Sequence, residues 1–431
     1  MPSVRTLRSD VAVVGAGPSG SAAAAYLARD GLRVLVFERA HFPREKVCGD
    51  GLTPRAVEVL VDLGVEEQLR GLGYRPFSSF RMVSSSGESV VAGFPEYGKG
   101  GEHGYVVPRI VLDRLLVETA RTAGAQVFED TEVLSLEQEA DGRSDAVLRA
   151  RSVAGEEMRI EARVIIAADG SRGSFSRTVL GADHMRPHGI AIRGYAEGVR
   201  DLGGLLHFFL DPALLPGGYG WIFPSSHPAE PVNLGVGLTM GLLKKKGLRL
   251  SQLFNTFLSA DSLARRHVEG IRFVTRPTAC PVLLAARHGR RTFRGVLFVG
   301  EVAHLVDPLS GQGMAYALES GRSAAAAVSL ALHTGHSRHL FRYPLRVLLE
   351  FFPEFMSDRL LRELLARSWG NSLVVRVLRR DEGLARSGTA VLSNSIPAYW
   401  ALHPVLLGKV LAPRRVISIA RAERPADGPR A

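Results

Sequence analysis

Three groups of residues in this chain have types and spacings suited to chemistry. The first is Gly15-Ala16-Gly17-Pro18-Ser19-Gly20, set directly after the β-branched run Val11, Val13, Val14 and before an alanine-rich helical pattern. Gly15 permits the tight turn, Gly17 lets backbone approach a pyrophosphate, and Gly20 allows close packing of helix on strand. The helix that opens at Pro18 and Ser19 offers free N–H groups and a partial positive charge to phosphates. A second apolar strand (Val34, Leu35, Val36, Phe37) ends on Glu38 and Arg39, where a carboxylate accepts hydrogen bonds from ribose hydroxyls. Strand, turn, helix, strand and acid agree on a dinucleotide site, which a chance glycine-rich turn would not do.

The second group marks later strand ends. Residues 163–168 read as a buried parallel strand ending in Asp169-Gly170, placed to meet the phosphate–sugar part of the same ligand. Residues 295–299 return to that idiom before Gly300-Glu301, and Gly311-Gln312-Gly313 lead into a helix expected over 314–327, beginning at Met314. A helix N-terminus there can stabilise negative charge on a reduced ring system. Gly235-Val236-Gly237 lies within a strand-like run and opens no helix, so the chain is expected to hold one dinucleotide firmly.

The third group surrounds Cys48, in the turn Cys48-Gly49-Asp50-Gly51, with Arg44 and Lys46 just before it. A thiol there either donates a proton and shapes a slot or is a small buried hydrophobe. Arg44 and Lys46 are either head-group binders or surface charges. Tyr219, Trp221 and Phe223 alternate along a strand and share one face; such a stripe is ordinarily core. His304 reads as a core histidine rather than an acid/base, Cys280 as structural, and Lys244-Lys245-Lys246 as a solvated loop. No metal site is expected.

The elements that must position these residues need more than one core. A chain of 431 residues suggests two intertwined domains, and 46% hydrophobic with 23% charged residues is ordinary for a globular protein. The dinucleotide unit is interrupted at residues 77–95, which alternate like strands, and again over 183–285, where short strands recur between turns. The expected fold is therefore α/β, a Rossmann-type domain with an inserted antiparallel-sheet substrate domain and a helical C-terminal region. Thr53 is the expected N-cap of a helix starting at Pro54, and another helix opens at Arg109. Two cysteines make no disulfide framework and residues 1–9 contain no apolar signal core, so a reducing, cytoplasmic location is expected. Of the net charge of +11, +8 lies from residue 338 onward. Such a patch suits an anionic membrane surface, a polyanionic ligand or a solvated arginine-rich face. No recognition motif points to nucleic acid. Residues 391–411 are broken by Asn394, Pro397, His403, Pro404 and Lys409, a poor transmembrane span that would instead lie on a membrane face or in a core. The tail from Arg424 reads as disordered.

From residue 10 to about 335 the chain resembles the FAD-dependent oxidoreductases of the para-hydroxybenzoate hydroxylase fold, and within them the geranylgeranyl (polyprenyl) reductase family. The resemblance rests on Gly15 through Gly20 with Glu38, Phe42-Pro43-Arg44 with Lys46, Cys48 through Gly51, Arg109, Asp169-Gly170 and Gly300 through Gly313. Its sharpest mark is Pro216-Gly-Gly-Tyr219-Gly-Trp221-Ile-Phe223-Pro224, similar to a PxxYxWxFP segment that lines the isoprenoid pocket in that family. The resemblance implies that Gly15, Gly17, Gly20, Glu38, Arg109 and residues 311–314 contact FAD. It implies that Tyr219, Trp221 and Phe223 wall an isoprenoid, and that isoprenoid double bonds are reduced with electrons from NAD(P)H or another reductant. The chain is expected to divide into FAD-binding parts (1–75, 109–182, 286–335), substrate-sheet parts (76–108, 183–285) and a basic helical region (336–431), whose charge, outside the resemblance, suits peripheral membrane contact. One departure is Glu301, where the family usually carries aspartate against the cofactor's hydroxyls. A flavin monooxygenase or halogenase-type enzyme on the same scaffold is the alternative, though halogenases carry paired tryptophans where this chain has Tyr219 and Trp221. A catalytically silent flavin binder is the third reading.

Overall fold

A computed structural model describes residues 4–138, 145–259, 262–285, 289–392 and 395. The tail from Arg424, and the stretch 391–411 apart from residues 391, 392 and 395, lie outside the described residues.

The run of Val11 to Val14 is fully buried because it lies in the middle of a sheet whose two faces are covered. The strand Arg5–Val14 pairs in parallel with Val34–Phe37 on one side and Glu157–Ala167 on the other, with Val11 opposite both Val34 and Val164. Gln126–Phe128 and Val296–Phe298 extend the parallel order outward. Taken along the chain, the five parallel strands stand in the order 3-2-1-4-5, so the connection reverses direction beside the first strand. Ligands of such sheets bind at that reversal, outside the strands' carboxyl ends. Gly15 and Asp169 both stand there.

Helix Pro18–Arg29 packs on the sheet and on helix Met314–Thr334. Contact is close because small residues face one another. A Cβ on Gly321 would overlap the Ser19 carbonyl, and Ala22 to Ala25 are buried. The second helix runs seven residues past the expected 327, ending only where Gly335 turns left-handed at φ 72°.

The second sheet takes strands from both interrupting segments. Its order is Arg272–Phe273, Gly189–Glu197, Val232–Thr239, Gly218–Phe223, Leu206–Phe209, Ser79–Val83, Ser89–Gly93, with Thr278–Val282 also paired to Gly189–Glu197. All pairings are antiparallel except Leu206–Phe209 on Ser79–Val83. The chain thus visits this sheet, returns to the dinucleotide fold and comes back.

The expected lysine loop is instead helix Met240–Lys245, and all three lysines are exposed at its end. Cations at a helix C-terminus oppose the negative end of its dipole, a signal that a solvation reading overlooks. Residues 337–392 are helical as expected. They are held to the dinucleotide fold by Arg55, buried between Glu319 and Glu354 at 2.8 Å from each.

Candidate functional site

One cavity of about 740 Å3 joins almost every chemically suggestive residue in the chain. Gly15, Gly17, Pro18, Ser19, Glu38, Arg39, Asp169 and Gly170 border one part of it. Glu301, Gly311, Gln312, Gly313 and Met314 border it further along, and Arg44, Lys46, Cys48, Arg109, Tyr219, Trp221 and Phe223 complete the group. Gly20 and Gly300 do not reach it; they are packing positions. A Cβ on Gly20 would overlap the Gly15 carbonyl oxygen, and one on Gly300 would come within 2.7 Å of Ser19 Oγ. Gly15 has φ 98°, and its Cβ would lie 2.6 Å from the Ala168 carbonyl oxygen, so only glycine fits this turn. On Gly17, by contrast, a Cβ would meet only Arg44, at 3.8 Å.

Backbone groups hold Glu38 in place. Its carboxylate accepts hydrogen bonds from the N–H of Ala16 (2.9 Å) and of Ala40 (3.1 Å). Arg44 lies between Glu38 (3.6 Å) and Asp113 (3.1 Å), and Asp113 in turn takes Arg109 through two bonds of 2.7 Å. This buried chain of alternating charges places Arg44 at the dinucleotide end, where a Cβ on Gly17 would meet its guanidinium at 3.8 Å. Burial unpaired would be costly for each of these groups, and the alternation removes that cost. Asp169 turns its carboxylate into the start of helix Ser174–Leu180, accepting from both the N–H and the hydroxyl of Ser176.

Glu301 has partners that use its added length. One carboxylate oxygen lies 3.6 Å from Lys46 Nζ and the other accepts from the Leu283 N–H at 3.3 Å. Thr53 stands at the expected N-cap position of helix Pro54–Leu63, but its hydroxyl makes no capping bond. It accepts instead from Gln312 Nε2 at 2.8 Å, which ties that helix to the loop before Met314.

The aromatic stripe lies on the cavity face of the second sheet. Tyr219 and Trp221 ring centres are 6.0 Å apart, and Trp221 and Phe223 6.2 Å. Across the ladder Trp221 stands opposite Gly235, and Tyr219 opposite Gly237. The indole occupies the space a side chain on Gly235 would fill. That is the physical reason for the Gly-Val-Gly run. Phe208 packs 5.0 Å from Phe223 and 5.6 Å from Tyr219, and Phe80 5.4 Å from Phe208, so the wall is wider than the stripe. Tyr219 donates its hydroxyl proton to the Ser310 carbonyl, fastening this wall to the loop that carries Gly311. Leu365 and Leu392, from the helical C-terminal region, also border the cavity.

Between the aromatic wall and the dinucleotide end sits Asp50, a residue to which the sequence reading gave no role. It is buried and adopts φ 62°, unusual for a non-glycine residue but tolerated by aspartate. One carboxylate oxygen accepts from Tyr195 Oη (2.5 Å) and Asn233 Nδ2 (2.7 Å); the other, Oδ1, has no hydrogen-bond partner. Asn233 also accepts from Trp221 Nε1 at 2.9 Å and donates to the Cys48 carbonyl at 2.8 Å. Burial pushes the Asp50 carboxyl up to about 7, against the pull of these hydrogen bonds and of Arg193 and Arg109. Arg193 stacks on Tyr195, 4.1 Å from its ring centre, and pairs with Glu45. Cys48 is half-buried, and burial together with the Asp50 charge pushes its thiol up. The turn lies against the wall, since a Cβ on Gly49 would sit 3.6 Å from Phe223 and 3.7 Å from Trp221.

His304 lies outside the cavity wall. It is buried at φ 57°, its Nε2 meets the His184 carbonyl at 2.8 Å, and burial brings it down to about 4, so it is neutral. Its Nδ1 has no hydrogen-bond partner, so it is buried as expected but only half satisfied. Among the described residues no cluster of three or more histidine, cysteine, aspartate or glutamate side chains is placed to hold a metal ion.

The cavity combines a glycine turn, two helix N-termini and an apolar wall with the buried carboxyl of Asp50, raised to about 7. Comparison with known proteins agrees with that combination. The family model described as FAD binding domain matches residues 8–195, and that described as geranylgeranyl reductase catalytic domain matches residues 190–275. A menaquinone reductase of Mycobacterium tuberculosis is 36% identical over 334 residues, covering 74% of this chain and 76% of the relative. A digeranylgeranylglycerophospholipid reductase of Methanothrix thermoacetophila is 31% identical over 337 residues, covering 76% and 80%. The crystal structure of a geranylgeranyl bacteriochlorophyll reductase-like protein from Thermoplasma acidophilum shares the fold. Its TM-score is 0.77 at 22% identity, covering 94% of this chain and 99% of that one.

Proposed function

Because the chain belongs to the geranylgeranyl reductase family of FAD-dependent oxidoreductases, we propose that it saturates carbon–carbon double bonds in the isoprenoid chain of a lipid or quinone. The observation that carries the reading is the continuity of one cavity from the Gly15 turn, past Glu301 and Gly311, to the Tyr219–Trp221–Phe223 wall. The names of the mycobacterial and archaeal relatives favour an isoprenoid borne on a lipid.

The residues present fit FAD. The face of Gly17 is open, the N-termini of two long helices border the same space, and Glu38 stands beside the glycine turn. Once reduced by NAD(P)H or another reductant, bound FAD supplies a hydride. Gly17, Pro18 and Ser19 would hold the pyrophosphate against the helix start, and Glu38, fixed by two backbone N–H groups, would hold a ribose. Arg44, Arg39, Asp169 and Gly170 would support that end. Arg109, Lys46, Glu301 and residues 311–314 would border the ring system, and the N-terminus of helix Met314–Thr334 would offset negative charge on it.

Tyr219, Trp221 and Phe223, with Phe208 and Phe80, exclude water and align the isoprenoid chain. Asp50, whose carboxyl burial raises to about 7, would hold the proton. When the π bond is reduced, the carbon that does not receive the hydride would take its proton from Asp50, whose carboxylate would then regain one from solvent. Cys48 shapes the slot beside it.

The test is anaerobic. The purified protein is reduced with dithionite and mixed with geranylgeranyl diphosphate or detergent-dispersed menaquinone. The expected result is return of the oxidised flavin spectrum without oxygen, with product mass, after air oxidation of any quinol, raised by about two units per bond reduced. Flavin that stays reduced with both substrates until air is admitted overturns the proposal and favours a monooxygenase.

A further inference from the structure

Eight of the fourteen large apolar side chains exposed among the described residues fall between residues 341 and 373. Chance scattering would not concentrate them so, and single exposed apolar residues need no explanation whereas clusters do. Their arrangement follows the helical run formed by Arg342–Arg346, Val347–Phe351 and Phe352–Leu365. The inner stripe of that run, Tyr343, Val347, Phe351 and Phe355, is buried in the core. A surface helix of a globular protein places polar residues opposite such a stripe. This run places Leu345, Leu349, Met356 and Leu360 there, the last 72% exposed and Leu349 65%. The next helix, Ser368–Leu378, adds Trp369 at 57%.

The polar residues among them are one-sided in charge. Residues 338–380 contain nine arginines and four acids. Two of those acids, Glu354 and Asp358, are turned inward, while Arg338, Arg342, Arg359, Arg367, Arg376 and Arg379 are exposed. Apolar side chains that enter an acyl boundary, ringed by arginines, match the chemistry of an anionic lipid surface. A second copy of the same arginine-rich face would repel itself. No helix among the described residues is long and apolar enough to cross a membrane, so this match is to a surface. The run also ends at the cavity, because Leu365 borders it and Arg362 Nη1 donates to the Pro308 carbonyl at 3.2 Å.

We propose that the face carried by residues 341–373 docks the protein on an anionic bilayer, its apolar stripe inserted among the acyl chains and its arginines against the headgroups. The docking argument is independent of the chemistry. Only its consequence, that a lipid-borne chain enters past Leu365 without crossing water, rests on the reductase reading.

Flotation of the full-length protein with vesicles tests this directly. Vesicles of phosphatidylglycerol and phosphatidylcholine in equal parts are expected to carry the protein up the gradient. Pure phosphatidylcholine is expected to bind it at least tenfold more weakly, given about 1 kcal/mol lost per arginine near an anionic surface. The double variant L349E/L360E is expected to lose binding to the mixed vesicles by roughly tenfold or more. It should keep the wild-type flavin spectrum, melting temperature and turnover of a detergent-dispersed substrate. Wild-type protein that floats with neither vesicle overturns the proposal. So does a double variant that floats as well as wild type, or wild-type binding equal on both vesicles. If wild type fails to float and is instead a dimer that L349E/L360E dissociates, the occupant is a second copy and the lipid assignment falls. A double variant that stays reductively active while losing flotation separates docking from catalysis.

Discussion

Replacing Asp50 by asparagine removes a titrating group from the centre of the cavity wall, and the result should depend on pH in a specific direction. Burial raises the Asp50 carboxyl from 3.8 to about 7. A carboxyl raised in the folded state binds its proton more tightly there than in the unfolded chain. Its contribution to stability is therefore full below pH 3.8 and is lost progressively as pH climbs to 7. At about 1.4 kcal/mol per tenfold change in acidity, the folded wild-type protein at pH 8 carries a penalty of roughly 4 kcal/mol from this group. Between pH 5 and pH 8 the change is roughly 3 kcal/mol. The groups facing Asp50 are Tyr195, Arg193, Arg109 and Cys48, all held above their ordinary values, so none of them titrates within that window. In Asp50→Asn the amide oxygen keeps the bonds from Tyr195 and Asn233, while the new NH2 replaces an oxygen that had no partner. Its unsatisfied donors cost about 1–3 kcal/mol at every pH, an offset that cancels when two pH values are compared. For a chain of 431 residues, 3 kcal/mol corresponds to about 3 °C in melting temperature. The variant should therefore gain about 3 °C on wild type between pH 5 and pH 8, measured by circular dichroism at matched flavin content. Substrate-driven reoxidation should fall by roughly 10²- to 10⁴-fold, the usual size of a lost general acid. Parallel melting curves across that range would show Asp50 to be ionised throughout. Combined with unchanged reoxidation, they would refute its role as proton holder.

Other substitutions probe separate parts of the same cavity. Gly17→Val places a branched side chain where the open backbone is needed, so flavin should be absent from the purified variant; a fully yellow protein would move the pyrophosphate elsewhere. Trp221→Ala strips the centre of the aromatic wall and should raise KM for a long isoprenoid by roughly tenfold or more, from about 1.5–3 kcal/mol of apolar contact, with the rate of flavin reduction unchanged. Glu301→Asp shortens the reach to Lys46 and to the Leu283 N–H, and apoprotein titration should show FAD bound about fivefold more weakly, the equivalent of one hydrogen bond near 1 kcal/mol. Arg55→Met leaves Glu319 and Glu354 buried without their cation and should cost about 3–5 kcal/mol in stability, read from the urea midpoint.

The parts of the site that were legible in the sequence are those written locally. Residues 10–39 carry strand, turn, helix and acid in one stretch, and Tyr219, Trp221 and Phe223 declare a shared face by alternation alone. The rest depends on register between strands far apart in the chain. Phe80 and Phe208 join the wall because Leu206 stands opposite Phe80 and Phe208 opposite Trp221, pairings no local pattern states. Asp50, Tyr195 and Asn233 come from three segments, and only the Gly-Asp-Gly setting of Asp50 hinted at an unusual backbone. Arg44 read as a head-group binder or a surface charge because its partner Asp113 lies about seventy residues away on the helix Arg109–Thr122. Leu365 and Leu392 escaped notice because the C-terminal region carries no motif. The lysines at 244–246 and the Thr53 hydroxyl misled for one reason: residue type was read without the partner that geometry supplied.

The alternation of the chain between two sheets also constrains how the molecule is made. The strand Ser79–Val83 leaves the ribosome with one neighbour available, Ser89–Gly93, and its other edge stays open until Leu206–Phe209 is synthesised. In the interval the partners of the first sheet, Gln126–Phe128 and Glu157–Ala167, are synthesised. A nascent chain stopped between these points exposes Phe80 and Met82 on an unpaired edge, a surface that invites aggregation or a chaperone. Neither sheet can therefore be excised as an autonomous unit, and translational pausing before residue 206 would be more harmful than pausing after it.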